Sequence, residues 1–332
     1  MEIKVKDILI IIILFMLLIL SIIVALSLGT VKIPITAVIK GNLTIIEKTI
    51  IYKIRLPRIL LASLVGMALA TSGVVFQGIF KNVMADPYII GISSGASLGV
   101  GLAINFGLIY YWRGISSLAF FAFLGAVITA FFVYNLAKTK GKVPISTLLL
   151  SGIAISFFLS ALVSLLMILD SGNLQKVFYW LMGSLANSSW QEIKAILPGI
   201  IVGFLIVYFL ADNLNILLLG EETAYYLGVE VEKVKLLLLL AGSLLASMAV
   251  SVSGIIGFIG LVIPHILRLI LGPNHRILLP ASALGGAIFL IVTDTIARTI
   301  LAPTELPVGI ITALCGAPFF IYLLQKRKVN FK

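Results

Sequence analysis

The sequence predicts an all-α polytopic membrane protein of about ten transmembrane helices, folded as one domain over residues 1–332. Three observations carry that expectation. Hydrophobic residues make up 61% of the 332 and charged residues 11%, whereas soluble globular chains carry about 25% charged residues. Mean hydropathy is +1.20, and the apolar residues fall in runs near the ~20 residues that span a hydrocarbon core. The polar residues between them form pieces too short for a separate nucleotide-binding or extracellular domain.

The first run, Ile8 to Leu28, follows Lys4 and Lys6 and ends near the small-x-small sequence Ala25-Leu26-Ser27. That pattern invites comparison with a signal peptide. Its 21 residues exceed the ~7–15 of a signal h-region, so it reads as a retained first span. The other runs are 59–80, 88–109, 117–137, 145–169, 195–211, 236–252, 255–270, 277–297 and 307–324. Leu236 to Leu271 is 36 residues long with only His265 and Arg268 as strongly polar interruptions, too long for one crossing. A break is expected at Ser251-Val252-Ser253-Gly254-Ile255-Ile256-Gly257. Non-helical backbone at that depth must be buried in protein or line a cavity. Gly66-x-x-x-Ala70, Gly95-x-x-x-Gly99 and Ser97-x-x-x-Gly101 put small residues on single helix faces, where they allow close helix approach.

The net charge of +11, from 24 basic and 13 acidic residues, is expected at membrane boundaries rather than on nucleic acid. With the N-terminus inside, the inner loops collect 14 Lys and Arg and the outer loops 10, favouring cytoplasmic termini. The first outer loop runs against that rule with Lys32, Lys40, Lys48, Lys53, Arg55 and Arg58, charges that want another explanation. The one cysteine, Cys315, lies in the last apolar run. It makes no intrachain disulfide or metal site, and is expected as a small buried residue.

Catalytic chemistry is largely excluded. No phosphate-binding loop is present, because Gly141-Lys142 is followed by Val143. His265 and His275 are the only histidines, so no metal site is expected. Gly91-Ile92-Ser93-Ser94-Gly95 matches the nucleophile-elbow pattern, but that motif needs a strand-turn-helix context and a His-acid pair. A membrane hydrolase built on Ser93 therefore ranks last. Asp294 is the single candidate for the midplane carboxylate of an ion-coupled secondary carrier. It precedes Arg298 by four residues, and an i,i+4 ion pair is the favoured expectation.

Long ordered blocks carry the functional signal. The first is Arg55-Leu56-Pro57-Arg58, then Gly66, Ala70, Ser72-Gly73, Gln77, Lys81-Asn82-Val83-Met84-Ala85-Asp86-Pro87 and Gly91-Ile92-Ser93-Ser94-Gly95-Ala96. The second runs Gly257-Phe258-Ile259-Gly260-Leu261-Val262-Ile263-Pro264-His265-Ile266-Leu267-Arg268 through Gly272, His275-Arg276 and Leu279-Pro280 to Gly285-Gly286-Ala287. The third is Asp294, Arg298, Glu305-Leu306-Pro307-Val308-Gly309 and Gly316-Ala317-Pro318-Phe319-Phe320. Over roughly 55–325 the chain resembles the FecCD-type permeases of binding-protein-dependent ATP-binding-cassette importers for iron-siderophore, haem and cobalamin. One departure is Val83-Met84, where that family usually has proline then leucine.

The resemblance implies a type II importer permease fold and a homodimer in the cell (plasma or inner) membrane. It also implies two cytoplasmic ATPase subunits holding ATP and Mg, an external substrate-binding protein, and no cofactor, metal or nucleic acid on this chain. Arg55, Arg58 and Arg298 match external arginines that pair with glutamates of the binding protein. The stretch 212–235 corresponds to a cytoplasmic coupling segment. Within it, Gly220, Glu221, Glu222, Ala224, Tyr225, Tyr226 and Gly228 match the helix that sits in a groove of the ATPase. From the residues alone this is an amphipathic loop helix, acidic in its first turn and ended by Gly228. The resemblance also places a cytoplasmic gate at Asn82, Val83, Met84, Ser146 and Thr147. The fifth helix would line the pathway with Ser151, Ser156, Ser160 and Ser164, a stripe that serves helix packing equally well.

Overall fold

The computed structural model describes residues 5–40, 42–170 and 172–329. Lys4 and Lys332, counted for orientation, lie outside them, as do the side chains of Lys326, Arg327 and Lys328. Ten principal helices follow one another as α1 (Val5–Ser27), α2 (Ile45–Ile79), α3 (Ile92–Asn105), α4 (Ser117–Ala137) and α5 (Ile145–Leu169), then α6 (Trp190–Phe209), α7 (Val231–Ser253), α8 (Ile259–Leu271), α9 (His275–Ala297) and α10 (Val308–Val329). Among the described residues the only sheet is the hairpin of β1 (Tyr111–Trp112) and β2 (Ile115–Ser116) between α3 and α4.

Seven of the ten helices are long and apolar enough to cross a membrane; α3, α8 and the described apolar part of α10 are shorter. At 1.5 Å per residue, the 13 residues of α8 reach about 20 Å, less than the ~30 Å hydrocarbon core. The run 88–109 is thus only partly a helix: Pro87–Ile90 forms a tight 3₁₀ turn, and Gly91 reverses the chain at φ +84°. The expected break before α8 is present, spanning Gly254 to Phe258, both at positive φ. Proteins and cavities tolerate such irregular backbone where lipid does not.

Helix α2 is the buried axis of the bundle, packed by α7, α8 and α9. Its small residues explain the approach. A side-chain carbon at Gly66 would overlap the Gly286 carbonyl, and one at Gly73 the Gly260 carbonyl. The expected small-residue face also seats α3 on α4, where Gly95 meets Gly125 and Gly99 meets the Phe121 carbonyl. Ser93 therefore opens a helix packed for close approach, without the strand that a nucleophile elbow needs.

Helices α1 and α5 are the opposite case, apolar and mostly open in the single chain. Leu150, Phe157, Phe158 and Ile168 stand out from α5, and Leu314 from α10. Cys315 is exposed on that last helix, not buried as expected. Residues facing lipid or a partner are as apolar as the core, so the sequence does not separate them.

Candidate functional site

Two polar constellations stand at opposite ends of the bundle, named outer and inner after the orientation expected from the sequence. The outer one begins at Pro57, which follows a π-helical turn over Ile50–Arg55 within α2. Arg58, one residue on, holds the Asp294 carboxylate of α9 with Nε–Oδ2 and Nη2–Oδ1 distances of 2.9 Å. Its remaining Nη1 donates to Glu305 Oε2 at 2.7 Å. The planar guanidinium fork suits such bidentate pairing, and it ties α2, α9 and the loop before α10 together.

The i,i+4 pair expected between Asp294 and Arg298 is not formed. Arg298 closes the carboxyl end of α9 and donates instead to the Ala25 carbonyl of α1. Arg55 donates to the carbonyls of Leu26 at 2.6 Å, Ser27 at 3.1 Å and Val31. Two arginines thus cover the last carbonyls at the carboxyl end of α1, where positive charge is favourable. Gly29 leaves the room: a side-chain carbon there would collide with the Arg55 guanidinium. Arg55, Arg58 and Arg298 are only 3%, 6% and 5% exposed, so they do not project from the outer rim as expected. Burying a guanidinium is costly unless its donors are paired, and here the α1 carbonyls and the Asp294 carboxylate supply partners. Glu305 is the group of this cluster that solvent reaches. It borders an outer cleft of about 620 Å³ lined also by Tyr111, Lys176, Trp180 and Glu192.

The inner constellation is the segment 212–235. Short helices Ala211–Leu218 and Glu221–Tyr226 lie in it. Gly220 enters the second at φ +127°, and Gly228 ends it at φ +82°, where the Val229 N–H returns to the Ala224 carbonyl at 3.0 Å. Both positions suit glycine, which alone adopts such angles without strain. Ala224 is buried under the helix, while Tyr225 and Tyr226 are 71% and 78% exposed. Two anchors hold the segment. Asp212 binds Arg276 (Nε–Oδ1 2.6 Å), which keeps its carboxyl below the ordinary range, and the Asn215 amide oxygen accepts from the His275 N–H at 2.9 Å. At the far end Lys235 Nζ lies 3.0 Å from Glu221 and 2.9 Å from Glu232. Sequence reasoning missed these anchors, since Lys235 sits among charges that read as an ordinary helix start.

Comparison with known proteins shows the family. The model of the FecCD transport family matches residues 17–326. The chain belongs to that family. Its fold is accordingly the type II permease fold, and it is a multi-pass membrane permease of the ATP-binding-cassette class. It is 48% identical over 283 residues to the cobalamin import system permease protein BtuC of Halobacterium salinarum, covering 85% of this chain and 75% of that one. It is 46% identical over 282 residues to the hemin transport system permease protein HmuU of Yersinia pestis, covering 83% of each. A solved structure assigned as a metal-chelate type ABC transporter in an inward-facing conformation superposes with a TM-score of 0.84 at 36% identity, over 95% of this chain and 98% of that one.

Within this FecCD chain the residues expected at a gate fall on two elements, the loop after α2 and the first turn of α5. The Asn82 side-chain oxygen accepts the Met84 N–H at 3.0 Å and turns the loop, leaving Met84 exposed beside half-buried Val83. Ser146 is exposed and Thr147 half-buried in the first turn of α5. Helix α5 leans on the turn Pro87–Ile90 through Gly152, whose missing side chain admits the Ile89 carbonyl. The serine stripe is divided. Ser151 is buried, Ser160 lies 3.5 Å from Ser94 of α3, and Ser164 donates to the Ser160 carbonyl at 3.0 Å. The most open surface of α5 is instead the bulky apolar one. Among the described residues no cluster of His, Cys, Asp or Glu has the arrangement of a metal site.

Proposed function

We propose that this chain is the permease subunit of an importer that moves a bulky metal chelate inward, of the iron-siderophore, haem or cobalamin class. The observation that carries the reading is the helix Glu221–Tyr226, fixed between two glycines and anchored at both ends, with two tyrosines presented to a partner. Exposed aromatic anchors of this kind suit a protein interface. The partner is a cytoplasmic ATPase subunit, which holds ATP and Mg; this chain binds no cofactor and catalyses no covalent step. Two copies form the working permease, joined beside the open apolar faces of α5 and α10, in the cell membrane with both termini cytoplasmic. The relatives named for cobalamin and hemin support the chelate class.

Closure of the ATPase dimer displaces the coupling helices and rocks the permeases between outward- and inward-open states. Asn82, Val83, Met84, Ser146 and Thr147 close the inner end, and α5 lines the route, with Ser156 and Ser160 at its seam with α3. The external binding protein docks on the outer cluster. Arg55 and Arg298 hold that face in shape, and Arg58 receives a partner carboxylate in place of solvent-accessible Glu305. Asp294, the carboxylate an ion-coupled carrier needs, is committed to Arg58.

The test is reconstitution of the chain with its ATPase in proteoliposomes. One loaded binding protein is expected to stimulate hydrolysis and drive uptake, and its ligand identifies the chelate. Uptake by the chain alone, driven by an ion gradient, would overturn the reading.

A further inference from the structure

We propose that Lys235 and Glu232 form a strut that carries displacement of the helix Glu221–Tyr226 to the amino-terminal end of α5. The proposal rests on the coupling reading above and assigns the residues through which that coupling passes.

The strut is continuous. Glu221, in the first turn of the short helix, places Oε1 3.0 Å from Lys235 Nζ, and Glu232 places Oε1 2.9 Å from the same nitrogen. The other carboxylate oxygen, Glu232 Oε2, accepts the Val143 N–H at 3.0 Å. Val143 is buried, Pro144 follows it, and α5 begins at Ile145. The loop ahead of Val143 has little slack. Thr139 and Lys142 pair in both directions at 2.8 and 3.0 Å, around Lys140 and Gly141 at positive φ. Proline fixes the next backbone angle. A shift of Glu221 therefore reaches Ser146 and Thr147 through three polar links and one rigid dipeptide.

Stability alone gives a poor reason for this lysine. Lys235 is 4% exposed at the base of α7, where an apolar residue would pack without the cost of dehydrating an ammonium group. Its two carboxylate partners are 44% and 34% exposed, so each can rehydrate when the lysine is absent. Directional links between two moving elements are what the charge adds. Lys235 is a positioning residue in this account, because it touches neither substrate nor nucleotide.

The experiment compares Lys235→Met, Lys235→Arg and Glu232→Gln in the complete reconstituted importer. Lys235→Met is assayed in the fraction that co-purifies with the ATPase, and its transport is normalised to the ATP it consumes. Transport per ATP consumed should fall about tenfold, the scale on which residues along a coupling route act. Lys235→Arg should restore most of that ratio, and Glu232→Gln, which keeps an acceptor for Val143, should fall between. Spin labels at Lys140 and Glu222, both exposed, supply a readout that a purely structural role would not move. Their separation should stay constant between nucleotide-free and ATP-bound states in the wild type, and change with nucleotide in Lys235→Met. An unchanged transport ratio and unchanged label distances in Lys235→Met overturn the strut alone. A wild-type chain that engages no ATPase overturns the functional reading and the strut with it.

Discussion

Arg58 on α2 and Asp294 on α9 lie 236 residues apart in sequence, yet form a buried two-point ion pair with a 2.9 Å Nη2–Oδ1 contact. The pair pins the outer ends of the two most intimately packed helices of the bundle. Removing one partner strands a charge where water does not reach it. Arg58→Ala is expected to destabilise the protein by about 3–5 kcal/mol. The double variant Arg58→Ala/Asp294→Ala should recover part of that loss, measured by thermal unfolding in nanodiscs. Equal losses in both variants would mean the carboxylate is not stranded.

Arg55 serves the carboxyl end of α1, and Gly29 gives it room. Arg55→Met should leave buried carbonyls unpaired, at about 1–3 kcal/mol. Gly29→Val should reproduce the effect without touching the arginine, because its side chain occupies the guanidinium's space. Thermal unfolding of the two variants and their combination checks this. The combined loss should be well short of additive, since both act on one contact.

Glu305, itself partly open to solvent, accepts from Arg58 Nη1 at 2.7 Å. Glu305→Gln weakens that internal competitor and removes a negative charge from the proposed docking face. Affinity for the loaded binding protein should rise, with the gain shrinking as salt screens the interaction. Titration by surface plasmon resonance at low and high ionic strength gives the answer. A loss of affinity would place Glu305 among the attractive contacts instead.

Asp212 is held below its ordinary pKa of 3.8 by hydrogen bonding to Arg276. A depressed folded-state pKa stabilises the protein above the unfolded value, and that stabilisation is lost as pH falls through the folded one. The pair is exposed, so solvent screening keeps its contribution small. The stability difference between wild type and Asp212→Asn should be constant above about pH 4 and fade below it, read from denaturation midpoints across pH. A difference that grows on acidification would contradict the sign.

Hydropathy located the spans well because each helix must satisfy its backbone internally and present apolar side chains. The break at Gly254 was legible from an over-long run and its glycines, and the helix Glu221–Tyr226 from its bounding residues. Partner choice was not legible. Asp294 has Arg298 nearby on its own helix, yet the better geometry comes from Arg58, which only the tertiary fold delivers. The same limit hid Lys235 beneath a run of surface-like charges and left Cys315 indistinguishable from a core residue. Local sequence reports propensity and period; it does not report which of two apolar or two charged neighbours is met in space.

The most direct test of the account compares ATP-dependent chelate uptake by the wild-type importer and by Tyr225→Ala/Tyr226→Ala in proteoliposomes. Uptake should require ATP and the binding protein, need no ion gradient, and drop about tenfold or more when both exposed anchors are removed. Full uptake by the double variant, or uptake that follows an ion gradient without ATP, would contradict the claim that this permease is driven through the helix Glu221–Tyr226.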